Sequence, residues 1–287
     1  MHLAGGRQIT VGGVQVNAEI GHWDRNLARV EQELRAGRSG KGQLVVLPEL
    51  FGNGYVFDTA YAEPPLGPTV RRLIALAAEL DLVIATAVYV RTESGDFTDR
   101  AYVIGPSGVL GTADKGYLWG PEVEVLTASD RTGVVVKTHV GTIGVAICYE
   151  AGFPEMVREL VLRGAELIAV PAAFGLTRLH AWELMTRSRA LENGCFLVAA
   201  GLTGSDGRGG EFAGHSRIVG PRGEVMAGLG REEGMVTCEV DLADMDVARS
   251  EIPYLRSLAM RRSVKNATAA QLAPAVLTSE SPENVMN

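Results

Sequence analysis

The sequence is poor in the residues that mark several common classes of protein. Its 287 residues include three cysteines, Cys148, Cys195 and Cys238, which cannot all pair and follow no metal-binding spacing. No apolar run approaches the roughly 18–20 residues needed to cross a bilayer. Lysine and arginine (27) are outnumbered by aspartate and glutamate (34), and no basic run occurs. These shortages argue against a disulfide scaffold, a membrane protein and a nucleic-acid-binding protein.

The chain also begins without the charged and then apolar pattern of a secretory signal, so we expect a cytoplasmic protein in a reducing compartment. Hydrophobic residues are abundant at 46%, which is enough to build a large core. We expect one domain over residues 1–262. From residue 263 the composition shifts to Ala, Pro, Ser, Glu and Asn without periodicity, which predicts a C-terminal tail, residues 263–287, that is disordered or packs as an arm on a partner subunit.

Short apolar runs alternate with amphipathic stretches along most of the chain. Residues 43–48 (QLVVLP) and 82–90 are typical of strands, whereas residues 68–80 have helical periodicity with Pro68 suited to a first turn. Residues 100–113 predict a hairpin around a Gly-Pro-Ser-Gly turn. Strands mixed with helices in this way predict an α/β fold with layers over a shared core.

Three predicted apolar strands are each followed directly by residues that differ in character from the strand. Glu49 follows VVLP, Cys148 follows GVAI, and a Pro-Ala-Ala-Phe segment at residues 171–174 follows LIAV. Residues just past the carboxyl ends of strands cluster in one crevice of layered α/β proteins. We therefore expect Glu49 and Cys148 to face each other, although 99 residues separate them in the sequence.

Each candidate has an ordinary interpretation beside the chemical one. Cys148 is either a buried packing residue or a nucleophile, whose thiolate a strand-to-helix turn would favour through the helix dipole. Glu49 is either a local ion pair or cap, or the base that removes the thiol proton. Lys115 is either a surface lysine or the charge that stabilises an oxyanion, with the backbone N–H of Tyr149 as the second donor.

Residues 47–50 (LPEL), 114–115 (DK) and 147–150 (ICYE), the last followed by Phe-Pro-Glu at 153–155, resemble the three catalytic signatures of the nitrilase superfamily, the carbon–nitrogen hydrolases. Their order and spacing fit as well, and the resemblance extends over about residues 9–252. Further matching segments are residues 163–165 (RGA), 189–193 (RALEN), 214–216 (GHS) and 221–223 (PRG).

This resemblance implies a four-layer αββα sandwich that associates as an αββα–αββα homodimer or a higher homo-oligomer. It also implies that Cys148 is the nucleophile, Glu49 the general base and Lys115 the oxyanion partner, with no metal and no organic cofactor. Glu122 matches a second glutamate that positions the substrate or the lysine in many members, and Glu124 is the competing candidate for that role.

The implied reaction is hydrolysis of a small-molecule amide to a carboxylate and ammonia through a thioester. Gly152 stands where many relatives carry an arginine, which in ω-amidase-like members helps to hold a substrate carboxylate. We therefore expect a small uncharged or apolar amide first, an N-carbamoyl amine or amino acid second, and a nitrile third. The predicted substrate-binding residues are Tyr55, Trp119, Tyr149, Ala172, Ala173 and Phe174.

Two other functions remain open from the sequence. A thiol hydrolase could pair Cys148 with an imidazole from His139, His180 or His215. A catalytically silent homologue could serve as a binding or scaffold protein, although silence usually shows as the loss of a catalytic residue, and all three are present here.

Overall fold

The structure is a computed structural model that describes residues 6–37, 43–131 and 133–262. The predicted C-terminal tail, residues 263–287, lies outside the described residues. The strands in chain order are β1 (Gln8–Gln15), β2 (Gln43–Glu49), β3 (Leu82–Arg91), β4 (Phe97–Gly105), β5 (Gly108–Asp114), β6 (Val134–Thr138), β7 (Gly141–Val145), β8 (Leu167–Ala172), β9 (Phe196–Gly201), β10 (Thr203–Ser205), β11 (Glu211–Ala213), β12 (Arg217–Val219), β13 (Val225–Gly228) and β14 (Gly234–Asp241).

Helices in the described residues lie between these strands or after the last of them. They are α1 (Trp23–Ala36), α2 (Pro68–Leu80), α3 (Glu122–Val125), α4 (Pro154–Leu162), α5 (Leu179–Asn193) and α6 (Asp244–Glu251). Short 3-10 turns occur at Thr59–Tyr61, Cys148–Gly152 and Leu176–Arg178, and residues 254–262 are helical. None of the helices in the described part of the chain is long and apolar enough to span a membrane.

The strands form two six-stranded sheets whose central strands are arranged alike. The first has the order β14-β1-β2-β3-β4-β5 and the second β13-β12-β9-β8-β7-β6, while β10 and β11 pair separately. In the first sheet β1, β2 and β3 are parallel, with α1 and α2 as the connections; in the second β7, β8 and β9 are parallel, with α4 and α5 as the connections. Antiparallel strands extend both sheets at their edges. The chain thus builds the same strand–helix pattern twice.

Strand β2 shows how the pattern places the core. Alternate side chains of a strand point to opposite faces. Leu44 and Val46 belong to the core shared with strands β8 and β9 of the second sheet, whereas Val45 and Leu47 pack with the apolar faces of α1 and α2. A strand buried on both faces must be a continuous apolar run, as residues 44–47 are. The predicted strands, helix α2 and hairpin β4–β5 are confirmed.

Candidate active site

Glu49 is the last residue of β2, and an irregularity in the strand pairing positions it. The ladder between β2 and β3 shifts register between Val46 and Glu49, at Pro48, which has no N–H to donate. The Glu49 side chain reaches the second sheet, where its Oε2 accepts the backbone N–H of Ala173, the residue after β8, at 2.8 Å. One hydrogen bond therefore joins the strand ends of the two sheets.

Lys115 follows β5 directly and is fully buried. Its Nζ lies 2.6 Å from Glu49 Oε1, 2.8 Å from Glu122 Oε1 and 3.4 Å from Asp99 Oδ2. Burial acts to lower the pKa of Lys115, but the charges of Glu49 and Asp99 outweigh it and hold that pKa well above its usual range. The side chain is therefore an ammonium ion in the interior.

The carboxylates of Glu49, Asp99 and Glu122 each place an oxygen within 4.8 Å of the others, a spacing that could hold a metal ion. Carboxylate oxygens are ligands for hard cations such as Mg²⁺ and Ca²⁺. Here the Lys115 ammonium lies among these oxygens and forms hydrogen bonds with two of the three groups. The chain thus supplies a cation of its own for this cluster. That the reaction needs no metal stays a prediction.

The structure separates the two glutamates that the sequence left in competition. Glu122 is fully buried, accepts a hydrogen bond from the Tyr55 hydroxyl on Oε1, and accepts the Trp119 N–H on Oε2 at 2.8 Å. Burial and then the charge of Glu49 raise the pKa of Glu122, while Lys115 opposes them. Glu124 is exposed to solvent, so Glu122 is the glutamate beside the lysine.

Cys148 has a left-handed backbone conformation, φ +46°, which is uncommon for a residue other than glycine. It begins a 3-10 turn, and helix α4 begins only at Pro154. Burial, followed by the charge of Glu49, raises the pKa of Cys148 well above its usual value, and Lys115 only partly opposes this. Because α4 begins six residues after Cys148, its dipole does not act directly on the thiol, and the expected stabilisation of the thiolate by a helix dipole has no support in this geometry. The raised pKa favours the thiol form of Cys148, and Glu49 is the carboxylate whose charge contributes most to the rise.

Glu150 ties the lysine loop to the cysteine turn, a role that the sequence analysis missed. Its Oε1 accepts the Gly116 N–H at 2.7 Å and its Oε2 accepts the Ile147 N–H at 2.8 Å. Burial raises the pKa of Glu150, and these two hydrogen bonds oppose it. The residues next to Lys115 and Cys148 are thus held by one carboxylate.

A cavity of about 180 Å³ opens above Cys148. Of the predicted substrate-binding residues, five line it: Tyr55, Trp119, Tyr149, Ala173 and Phe174. Ala172 does not. It is the fully buried last residue of β8, paired with Gly201, and its carbonyl accepts the Leu202 N–H at 3.0 Å. Its place inside the sheet turns it away from the cavity, so this part of the prediction is wrong.

Four further residues line the cavity that sequence reasoning had not assigned to the pocket: Gly152, Arg178, Ala181 and Met185. The last three are spaced by three and four positions, so helical periodicity from α5 could have placed them on one face. The guanidinium of Arg178 lies over the Trp119 ring, 4.8 Å from its centroid, and 5.9 Å from the centroid of Phe174. Among the described residues, no carboxylate forms a salt bridge with Arg178.

The histidines lie elsewhere. His139 and His180 are exposed, and the ring of His215 faces Glu183, with 3.7 Å between Nδ1 and Oε1. In the part of the chain that the structure describes, no histidine lines the cavity above Cys148. The thiol–imidazole alternative therefore has no support in this geometry.

The comparison with known families decides the assignment. The model of the carbon–nitrogen hydrolase family matches residues 10–250. The chain belongs to the carbon–nitrogen hydrolase family. This confirms the resemblance drawn from the signatures, and this protein is an enzyme, a hydrolase with the α/β fold of the nitrilase superfamily.

Several relatives of this hydrolase are amidases. It is 32% identical to the 2-oxoglutaramate amidase of Bacillus subtilis, over 85% of this chain and 95% of that protein. It is 30% identical to the omega-amidase NIT2 of Xenopus tropicalis, over 80% of this chain and 88% of the relative. A mutant of the Nesterenkonia amidase, solved with the acetamide moiety of fluoroacetamide on its active-site cysteine, matches with a TM-score of 0.75 and 28% identity, over 88% of this chain and 98% of that one. Amidases are thus among the relatives that match this chain over most of its length.

Proposed function

We propose that this hydrolase cleaves amides with Cys148 as the nucleophile, Glu49 as the general base and Lys115 as the oxyanion partner. The observation that carries this proposal is the position of Glu49, whose two oxygens bind the Lys115 ammonium and the Ala173 N–H beside the Cys148 cavity. A carboxylate held this firmly, next to a thiol whose pKa is raised, is suited to take the thiol proton as attack begins.

The steps follow from these groups. Glu49 takes the proton from the Cys148 sulfur, and the thiolate attacks the amide carbon. The Lys115 ammonium and the Tyr149 N–H stabilise the negative oxygen that develops on the substrate. The amide nitrogen leaves as ammonia with the proton returned by Glu49, and a thioester remains. Glu49 then removes a proton from water as the water attacks the thioester, and it passes that proton to the departing Cys148 sulfur. The free thiol is restored, and the acid product ionises to a carboxylate in water.

Glu122 acts on this chemistry through Lys115. It fixes one side of the ammonium at 2.8 Å, while the Tyr55 hydroxyl and the Trp119 N–H hold its carboxylate in place. The same two residues line the substrate cavity. We therefore propose that Glu122 couples the pocket wall to the orientation of the lysine.

The cavity favours a small acyl group. Its volume of about 180 Å³ is close to the roughly 150 Å³ of an engineered apolar cavity that binds benzene, and its wall is mainly aromatic and aliphatic. We expect a short, uncharged amide to fit it best, with an N-carbamoyl compound second and a nitrile third. The test is product analysis over a matched panel of amide, carbamoyl compound and nitrile with the same acyl chain. Carboxylate from the nitrile alone, with the amide untouched, would contradict the amidase proposal.

Arg178 favours a second candidate, an amide whose acyl chain ends in a carboxylate. Its guanidinium lines the cavity without a salt-bridge partner in the described residues, and guanidinium is the side-chain group best shaped to bind a carboxylate. The amidases named for omega-amides and 2-oxoglutaramate are among the relatives. In this interpretation Arg178 replaces the charge that Gly152 lacks.

One pair of substrates separates the two candidates. We would compare an aliphatic amide with the amide of equal length that carries a terminal carboxylate, in the wild type and in R178M. If Arg178 binds the carboxylate, R178M raises KM for the charged amide by about tenfold or more and leaves the uncharged amide nearly unchanged. Equal effects on both amides would show that Arg178 only shapes the cavity wall.

The finer points of architecture are also proposals. The two sheets that share a core, each with a helical connection pattern, support the four-layer αββα arrangement. Two large apolar side chains of α5, Leu184 and Leu191, are 69% and 37% exposed, which supports a homodimer or larger homo-oligomer through this helix. Sedimentation of the wild type and of L184E tests this point: the dimer predicts a lighter species for the variant.

A further inference from the structure

Asp99 is a buried carboxylate that the proposed steps do not use. It lies in β4 opposite Lys115, because Arg100 pairs with Asp114 in the β4–β5 ladder and the Lys115 N–H donates to the Asp99 carbonyl at 2.9 Å. Its side chain is 1% exposed, and Oδ2 is 3.4 Å from Lys115 Nζ. Yet neither carboxylate oxygen accepts a hydrogen bond from any described residue.

The other two carboxylates of the cluster are well supplied with donors. Glu49 accepts from the Lys115 ammonium and from the Ala173 N–H. Glu122 accepts from Lys115, from the Tyr55 hydroxyl and from a backbone N–H. A carboxylate is stabilised in its ionised form by such donors, and a buried one without them is not.

The charges of the cluster do not balance if every group is ionised. One ammonium, that of Lys115, faces three carboxylates whose nearest oxygens lie within 4.8 Å of one another. Three anions and one cation would leave two uncompensated negative charges among fully buried side chains, which is strongly unfavourable. A single bound proton removes one of them, and the carboxylate with the fewest donors is the one that holds it.

We propose that Asp99 is a neutral carboxylic acid that donates a hydrogen bond to Glu49 and so positions Glu49 and Lys115 in their charged forms. Burial raises the pKa of Asp99 well above its ordinary value, Lys115 opposes this, and the charge and hydrogen bond of Glu49 add to the rise. The direction agrees with the donor count. Asp99 is thus a positioning residue that touches the base and the lysine rather than the substrate.

A neutral Asp99 has two consequences for the reaction. Its hydrogen bond favours ionised Glu49, the form that can accept the Cys148 proton, whereas an ionised Asp99 would repel that charge. It also leaves the Lys115 ammonium shared by two carboxylates instead of three, so that more of its charge acts on the substrate oxyanion. This inference rests on the proposed function for its kinetic consequences, but the protonation of Asp99 can be measured separately.

The kinetic test compares D99N with D99A. Asparagine keeps the shape and can donate a hydrogen bond to Glu49, whereas alanine removes the donor and leaves a cavity. We expect D99A to lower kcat by about tenfold or more with a smaller change in KM, and D99N to recover most of that loss. If Asp99 instead acts as an anion paired with Lys115, D99N loses as much activity as D99A, and the proposal is overturned.

The pH–rate profile supplies a readout that a merely structural role would not move. The titratable groups that face Asp99 are Glu49 from β2, Lys115 after β5 and Glu122 from α3, with Cys148 beyond Glu49. If Asp99 is neutral, the acid limb of the D99N profile coincides with that of the wild type. If Asp99 is ionised, D99N removes a negative charge beside the base and the acid limb moves to lower pH, which contradicts the proposal.

Infrared difference spectroscopy tests the protonation without any substrate. The wild type should show the carbonyl stretch of a buried, protonated carboxylic acid at neutral pH, and this band should be absent from D99N and present in E124Q, in which an exposed glutamate is changed. Absence of the band from the wild type overturns the inference even if amide hydrolysis by Cys148 holds. Presence of the band in a protein that hydrolyses no amide supports the protonation of Asp99 and refutes only the proposed function.

Discussion

Two clusters of charged side chains in this hydrolase have nearly the same nitrogen–oxygen distances, but one is exposed to solvent and the other is buried. The exposed cluster lies between helices α1 and α2. There Arg35 pairs with Glu31 and Glu79, and Arg72 pairs with Glu31, with nitrogen–oxygen distances of 2.6–2.8 Å. In the buried cluster, Lys115 lies 2.6 and 2.8 Å from two carboxylates. The arginine hydrogen bonds lower the pKa of both glutamates in the exposed cluster, whereas burial raises the pKa of Glu122 in the other.

The comparison shows that exposure to water, more than distance, decides what an ion pair does. The exposed cluster is screened and contributes little to stability, so it tolerates change. The buried cluster is costly to desolvate, and removing one member leaves the others unpaired. The buried cluster lies behind the wall of the cavity at Cys148 and is hydrogen-bonded to two of its lining residues, Tyr55 and Ala173, so it is best explained by the chemistry it permits.

The largest effect is expected from E49Q in the buried cluster. Glutamine keeps the shape of Glu49 but cannot accept the Cys148 proton, so kcat should fall by about 10²–10⁴-fold. Steady-state kinetics on the preferred amide measure this, with E124Q as the matched control because Glu124 is exposed. Undiminished turnover in E49Q would assign the base to another group, as the thiol–imidazole alternative requires.

Removing the buried cation should cost stability as well as activity. K115M leaves Glu49 and Glu122 without their partner in the interior, and we expect the free energy of unfolding to fall by about 3–5 kcal/mol. Urea denaturation measures it, and K137M is the control because Lys137 is exposed in β6. If K115M lowered the free energy of unfolding no more than K137M does, the two carboxylates would be protonated or hydrated in the variant instead of being left unpaired.

The pH dependence of stability should have opposite signs in the two clusters. The pKa of Asp99 is raised above its ordinary value of 3.8, so its contribution to stability is present below that value and is lost as pH rises. The pKa of Glu31 is lowered below 4.5, so its contribution is present above that value and is lost as pH falls. Relative to the wild type, D99N should therefore gain stability as pH rises, and E31Q should gain it as pH falls. Urea denaturation at several pH values checks both variants. If the stability difference from the wild type changed with pH in the same direction for D99N and E31Q, the predicted opposite signs would be contradicted.

The smallest effect is expected from R72Q in the exposed cluster. Arg72 is 39% exposed and shares Glu31 with Arg35, so the free energy of unfolding should change by about 1 kcal/mol or less. The change should shrink further in high salt, because exposed charges are screened. A salt-insensitive loss as large as that of K115M would show that the two clusters do not differ as described.

The sequence could predict the strand ends because they carry local signals. Apolar runs that stop at Glu49 and Cys148, together with the family signatures, were sufficient to predict the two side chains and their strands. Asp99 was missed because it lies just outside the predicted hairpin over residues 100–113, and an irregularity between Val103 and Ile104 creates the register that brings it opposite Lys115. The role proposed for Asp99 depends on how many hydrogen-bond donors surround its carboxylate in the folded protein, and this number cannot be obtained from a single sequence.

The remaining errors come from backbone geometry. Ala172 was assigned to the pocket from the family resemblance, whereas strand β8 continues through Ala172 and buries it. The predicted helix dipole at Cys148 assumed a direct strand-to-helix turn, but a 3-10 turn separates the cysteine from α4. Both errors depend on the exact residue at which a strand ends or a helix begins, and the pattern of apolar residues does not determine such a boundary to within one or a few residues.

The most direct measurement of the central claim is the mass of the acyl-enzyme. We would quench the wild type during turnover of the preferred amide and map the adduct on peptides that contain Cys148, Cys195 and Cys238. We expect a mass increase equal to the acyl group less one hydrogen, on Cys148 alone, with the adduct formed faster than it decays when little water is available. An adduct on either other cysteine, or turnover unchanged in C148A, would contradict it.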